Sequence, residues 1–110
     1  EKFSSVSQQI LPATPKVSYV ILRELPLTRG TVLVKTDAKP GTKVKAWLQD
    51  ENQKTITTKD GYSSFDILAD KNGEAFLKLT DFKVRVGKTY LITTKVGHLK
   101  ATKTYFYSNN

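Results

Sequence analysis

The feature that most constrains the fold is the two-residue period of the apolar side chains between Thr42 and Gln49. Val44, Ala46 and Leu48 occupy every second position, and lysines and a tryptophan stand between them. Because successive side chains of a β-strand point to opposite faces of a sheet, this pattern predicts a strand with one buried face. The chain has no segment with the 3.6-residue period of an amphipathic helix, so we expect a protein built from strands.

Similar short runs recur along the chain and are separated by turn signals. The predicted strands are 17–22, 30–36, 42–49, 54–58, 64–69, 74–79, 88–95 and 101–107. The turns include Asn72-Gly73, a pair in which both residues tolerate a positive φ. Short strands that recur about every 8 to 12 residues are typical of two-layer sandwiches. We therefore predict an all-β fold, an immunoglobulin-like antiparallel β-sandwich of seven to eight strands.

The length of 110 residues is that of one domain. Residues 1–15 are rich in Ser and Gln, contain Pro12 and Pro15 and show no periodicity, so we interpret them as a linker or N-terminal arm. Residues 16–110 are predicted to form the sandwich. In that sandwich Val32 and Val34 are expected to point inward, as are Ala75, Leu77 and Leu79 in a later strand.

The chain is strongly basic, with a net charge of +8. Of its 18 basic residues only Arg23, Arg29 and Arg85 are arginines, and the lysines are dispersed along the chain. Nucleic-acid readers favour arginine, whose planar fork holds phosphates with two hydrogen bonds, so nucleic acid is a disfavoured partner. We interpret most of the lysines as solvated strand faces and as charges that protect sheet edges from aggregation.

Several chemistries are excluded by composition. The chain has no Cys, which rules out disulfides, a catalytic thiol and Cys-built metal sites within it. It has no apolar run long enough to span a membrane. The sequence contains no phosphate-binding loop, nucleophile elbow or paired acid and base motif. We therefore predict a chain that is not an enzyme and has no catalytic, cofactor-binding or metal-binding residues.

Two groups of residues invite a metal site but have simpler explanations. His98 stands next to Gly97 in a predicted hairpin loop without a second ligand nearby, and we expect it to be solvated. Asp66, Asp70 and Glu74 are close in sequence and offer a weak Ca²⁺ site as an alternative. The turn residues that follow Asp70 account for that carboxylate without a metal.

Trp47 is the main candidate for ligand contact. Alternation places it on the outward face with Lys43 and Lys45, and together the three residues form the candidate ligand surface. An exposed indole between ammonium groups can stack on a sugar or a base while the ammonium groups meet phosphate or sulfate. Two alternatives remain open: a bulge near Lys45 turns the indole into the core, or the N-terminal arm covers it.

Three stretches carry a resemblance to a known family. They are Thr31-Val32 leading through Ala38–Val44 into the strand with the tryptophan, then Ala69–Glu74, and then Val86-Gly87-Lys88-Thr89-Tyr90. In order and turn chemistry the chain resembles the bacterial immunoglobulin-like (Big) domains of surface and secreted proteins. The resemblance implies a non-catalytic module of a bacterial surface or secreted protein, a stalk, spacer or adhesion domain. It also implies a corner or core role for Tyr90 at the start of a late strand.

A competing resemblance is to the collagen-adhesin B-type domains, which can form an internal Lys–Asn bond promoted by a buried acid. Lys16 and Asn109 are candidates for such a bond. No carboxylate occurs in the five residues that follow Tyr90, so the cross-link is not expected.

Three functional hypotheses follow from these patterns. The first is the extracellular or cell-surface module, whose partners are neighbouring domains of the same polypeptide. The second is a module that binds host or cell-wall polyanions or glycans through Lys43, Lys45 and Trp47. The third is an accessory domain of an extracellular enzyme.

The aromatic run of residues 105–107 ends the last strand, and we expect part of it to pack against a neighbouring domain or the arm.

Overall fold

Residues 16–108 of the computed structural model are described here, and they form eight strands and no α-helix. The strands are β1 (Val20–Glu24), β2 (Thr31–Thr36), β3 (Lys43–Gln49), β4 (Thr55–Ile56), β5 (Phe65–Leu68), β6 (Glu74–Lys78), β7 (Lys88–Val96) and β8 (Leu99–Tyr107). A short 3₁₀ turn, Leu79–Asp81, follows β6. The predicted all-β fold is confirmed, whereas the predicted arm and Asn109 lie outside the described residues.

The eight strands form two antiparallel sheets. One sheet has the order β1-β2-β6, and the other has the order β4-β3-β7-β8, with β5 also paired to β3. Both β4 and β5 are thus bonded to the central strand β3, β4 beside Leu48 and β5 beside Val44. The chain crosses between the sheets after β2, after β5 and after β6, which is the connectivity of an immunoglobulin-like sandwich.

The first strand begins later than predicted. The ladder between β1 and β2 starts at Val20, which pairs with Thr36, and it runs on to Glu24. Before that point the backbone N–H of Ser18 donates to Oδ1 of Asp37 at 2.8 Å. Because this amide is bound by a side chain, it is not available to a neighbouring strand, and the prediction of 17–22 was wrong at both ends.

The core lies between the inner faces of the two sheets. Val32 and Val34 of β2 and Val44 and Leu48 of β3 are fully buried there. The remaining predicted inward residues are also buried, namely Ala46, Ala75, Leu77 and Leu79. Alternation therefore identified the buried face of each of these strands correctly, because one face of each sheet must be removed from water.

Tyr90 anchors the loop that leads into β7. Its side chain is buried, and its hydroxyl accepts a hydrogen bond of 2.7 Å from the backbone N–H of Arg85, five residues upstream. This is the arrangement of a tyrosine corner, in which a tyrosine near the start of a late strand fixes the preceding loop. The corner role expected for Tyr90 is confirmed.

The turn between β5 and β6 is fastened to the end of β2. Oδ1 of Asp70 accepts hydrogen bonds from the backbone N–H groups of Asn72 and Glu74, at 2.8 and 3.0 Å. The carbonyl oxygen of Gly73 accepts hydrogen bonds from both the N–H and the hydroxyl of Thr36. Gly73 has a φ of 75°, and a Cβ atom at this position would collide with the carbonyl oxygen of Thr36.

We expect Gly73→Ala to lower the free energy of unfolding by more than about 2 kcal/mol, because the methyl group adds a collision with backbone to the strain of a positive φ. Gly41→Ala is the matched control, since Gly41 has a φ of 84° with nothing within 4 Å of the added Cβ. We expect the control to cost only the strain, about 1 kcal/mol. Chemical denaturation of both variants measures the difference, and equal losses would contradict the collision.

Candidate functional site

The register of β3 places Trp47 on the outer face of its sheet. Lys45, Ala46 and Trp47 pair in unbroken order with Lys95, Thr94 and Thr93 of β7, so this part of the strand has no bulge. Trp47 is half-buried, while Ala46 and Leu48 on either side of it are fully buried in the core. Of the orientations considered for the indole, the outward one is confirmed, and the bulge that would have turned it into the core is absent.

Three lysines meet beside the indole in one cross-strand row. Lys45 of β3 pairs with Lys95 of β7, which in turn pairs with Lys100 of β8. Asp66 is the partner of Lys45 on its other side, but the ion pairs found within residues 16–108 do not include these side chains. We refer to Lys45, Lys95 and Lys100 as the lysine row. Like charges that face each other across strands destabilise a sheet.

The indole and the lysine row share one shallow hollow, which we call the Trp47 depression. Its volume is about 380 Å³, and it is lined by Lys45, Trp47, Thr55, Ser63, Ser64, Lys95 and Lys100. Nζ of Lys100 lies 5.9 Å from the centroid of the Trp47 ring, within the range of a cation–π interaction. The depression thus combines an aromatic surface, hydroxyl groups and ionisable side chains of positive sign only.

Two other hollows have comparable volumes, so volume does not distinguish the three. The charges of their lining side chains do. One, of about 400 Å³, lies beside Tyr90 and has Asp50 and Glu51 facing several basic side chains. The other, of about 490 Å³, places Lys59 among three aspartates. In both, acidic and basic side chains line the same hollow. Of these three hollows, the Trp47 depression alone is lined by ionisable side chains of one sign.

The remaining candidate residues from the sequence are not assembled into a site. Lys43 is exposed on the same face as Trp47, but it pairs with Leu68 and does not line the depression. His98 is exposed in the turn between β7 and β8. Within residues 16–108 no cluster of three His, Asp, Glu or Cys side chains is suited to hold a metal ion.

The calcium alternative is not supported by the carboxylates that suggested it. Asp66 points away from the core opposite Lys45, and Glu74 lies 4.0 Å from Nζ of Lys35. Oδ1 of Asp70 is already bound by two backbone N–H groups of its own turn. The three side chains do not form a common cluster, and the interpretation of Asp70 as a turn residue is confirmed.

Sequence reasoning missed Lys95 and Lys100, although a signal for them exists. The hairpin between β7 and β8 has a turn of two residues, Gly97 and His98, flanked by the pair of Val96 and Leu99. Gly97 has a φ of 60° at the first turn position, where a type II′ turn requires a positive value. A two-residue turn fixes the register of both strands, so recognising it would have placed Lys95 directly opposite Lys100.

Comparisons of the chain with protein-family models, with curated proteins and with solved structures found no match. Among residues 16–108 no helix has both the length and the apolar character that a membrane crossing needs.

We expect Lys95→Gln to raise the free energy of unfolding at low salt by about 0.5 kcal/mol, because Lys95 faces a like charge on each side. The gain should shrink as added salt screens the repulsion. Lys78→Gln is the matched control, since Lys78 is exposed on the other sheet opposite Thr31. Thermal unfolding at low and high salt measures both effects. A gain in the control as large as that in Lys95→Gln would contradict repulsion within the lysine row.

Proposed function

We propose that this chain is a non-catalytic, immunoglobulin-like module of a bacterial cell-surface or secreted protein, and that it acts as a stalk or spacer between adhesive or other domains. The observation that carries the proposal is the position of the two ends of the sandwich. The chain enters at one end and leaves at the other, as successive modules of an extended array require.

The entry point is next to the last residue of β2. Ser18 is bound to Asp37, and Val20 pairs with Thr36. The hydrogen bond from the backbone N–H of Ser18 holds the pKa of the Asp37 carboxyl below its usual value. The carboxylate therefore remains charged at neutral pH and keeps the incoming chain on this end of the sandwich, and protonation on acidification would weaken that attachment.

The exit point is next to the first residue of β2. The carbonyl oxygen of Tyr107 accepts a hydrogen bond of 2.7 Å from Gly87, and the hydroxyl of Tyr105 accepts one of 2.9 Å from the N–H of Gly30. A Cβ atom on Gly30 would lie 3.1 Å from the Tyr107 ring. The six residues of β2 separate the two ends by about 20 Å at the usual rise of a strand.

Part of the aromatic run at residues 105–107 belongs to the domain itself. Tyr105 is buried and Tyr107 is half-buried against the core, whereas 58% of Phe106 is exposed on the outer face. The two tyrosines thus secure the exit of the chain. Phe106 is the member of the run that is available to a neighbouring domain, which is the role expected of this segment in an array.

Several polar side chains that an enzyme would use in chemistry have structural tasks here. Asp50 and Asp70 each accept two backbone N–H groups within a turn. The hydroxyls of Tyr90 and Tyr105 accept backbone N–H groups that tie loops to strands. These interactions support a rigid module whose polar groups maintain its shape, in agreement with a spacer.

A spacer of this geometry should resist force along the chain. Pulling on the two termini loads the bonds of β1 to β2 and of β8 to β7 in shear, because the bonds of antiparallel strands run perpendicular to the strands. We expect tandem copies of the full chain to unfold in discrete, equal steps in single-molecule force spectroscopy. Gradual extension without steps would contradict a mechanical role.

The control changes only the direction of pulling. The chain has no Cys, so Lys88→Cys supplies a unique attachment point directly opposite Tyr107. Pulling from residue 88 and the C-terminus opens the β7–β8 hairpin one bond at a time and should need a several-fold lower force. Equal forces in the two directions would show that the position of the termini gives no mechanical advantage.

Location provides an independent test of the proposal. We expect an antiserum raised against the purified chain to label intact cells of the source organism, or to detect the protein in the culture fluid. Brief protease treatment of intact cells should remove the cell-bound signal, whereas a cytoplasmic marker protein should survive. A signal that appears only after the cells are broken would overturn the extracellular assignment.

A further inference from the structure

We propose that the Trp47 depression binds an acidic saccharide, with a sulfate or carboxylate group held by the lysine row and a sugar ring lying against Trp47. This site goes beyond the spacer function and does not depend on it. It also differs from the surface expected from the sequence, because Lys95 and Lys100 replace Lys43 as the partners of Lys45.

The lysine row lowers the stability of the unliganded protein. Three ammonium groups on neighbouring strands repel one another, and no carboxylate of the described segment forms an ion pair with any of them. A bound anion offsets this repulsion, because it attracts each of the three ammonium groups. Residues that lower stability but create an anion site are expected where binding is the function.

The three lysines of the row are close enough to bind one anion together. Adjacent strands lie about 4.8 Å apart, so the backbones of Lys45, Lys95 and Lys100 span about 10 Å across three strands. Lysine side chains are flexible and carry three donors each. The three ammonium groups can therefore converge on one anionic group above the middle strand. With Lys100 at 5.9 Å from the Trp47 ring, that group would lie next to the indole.

The other lining residues of the depression select the kind of anion. The depression has no arginine among its lining residues, whereas nucleic-acid sites favour the planar fork of arginine. Hydroxyl groups of Thr55, Ser63 and Ser64 line the side nearest β4 and β5, where they can exchange hydrogen bonds with sugar hydroxyls. A half-exposed indole supplies an apolar surface for the C–H face of a sugar ring. Together these groups favour an acidic saccharide over a nucleic acid.

The test uses the intrinsic fluorescence of the protein. Trp47 is the only tryptophan in the chain, so its emission reports on the proposed site directly. The full chain is titrated at low salt with a heparin oligosaccharide, with the same oligosaccharide after removal of its sulfates, and with an oligogalacturonate. We expect a saturable change in emission with a sulfated or a uronic-acid ligand, and an affinity that falls as salt is raised. Comparing these ligands shows whether sulfate or carboxylate is the preferred group.

Charge variants locate the site. Lys45→Gln, Lys95→Gln and Lys100→Gln should each weaken binding by about tenfold, as expected for the loss of one charge-assisted contact. Lys78→Gln removes the same charge from the other sheet and should leave the affinity within about twofold of the original. Lys95→Gln should also be at least as stable as the original chain, so that its loss of binding cannot arise from unfolding.

Three results would overturn the site. The first is the absence of a saturable emission change with every acidic oligosaccharide. The second is an equal loss of affinity in Lys78→Gln, which would mean that net charge alone attracts the ligand. The third is tighter binding of a single-stranded oligonucleotide than of either acidic saccharide. None of these results bears on the mechanical and location tests, so the spacer function and the saccharide site can fail separately.

Discussion

The register of β3 is the constraint on which the rest of the molecule depends. This strand is bonded on one side to β4 and β5 and on the other to β7, so it holds the larger sheet together. Because the side-chain period of a strand is two, burying Val44, Ala46 and Leu48 commits Lys45 and Trp47 to the outer face. A shift of one residue would expose the core and bury charged groups, so the outer face is fixed as firmly as the inner one.

The features of the fold that could be predicted from the sequence are those that depend on residues close together along the chain. Alternation identified the inner face of β3, and Asn72-Gly73 identified a turn whose geometry follows from Asp70 and from the positive φ of Gly73. The tyrosine corner was expected at Tyr90 from Val86-Gly87-Lys88-Thr89-Tyr90, one of the stretches that carry the resemblance. Each of these features is settled by interactions within a few residues, which a single sequence displays directly.

The lysine row could not be recognised in the same way, because its members come from three strands that are far apart along the chain. Lys45 and Lys95 become neighbours only when β3 pairs with β7, and that pairing is set by the packing of both sheets.

The bounds of the short strands were likewise hard to predict from the sequence. β4 has only two ladder residues, and the chain after it is held by a single bridge between Thr58 and Phe82. Local propensity does not encode such contacts, because context determines strand pairing.

The two proposed roles use different parts of the sandwich. In an extended array, neighbouring domains occupy the end near Ser18 and Asp37 and the end near Gly30 and Tyr107. The outer face of the larger sheet lies along the side of such an array, between the two ends. The Trp47 depression lies on that side face and uses outward-pointing side chains, including Lys100 of β8, so a ligand there leaves the backbone hydrogen bonds of β8 in place. A spacer can therefore carry a saccharide site at a modest cost in sheet stability, since the repulsion among three lysines is small compared with the core that holds the sheets together.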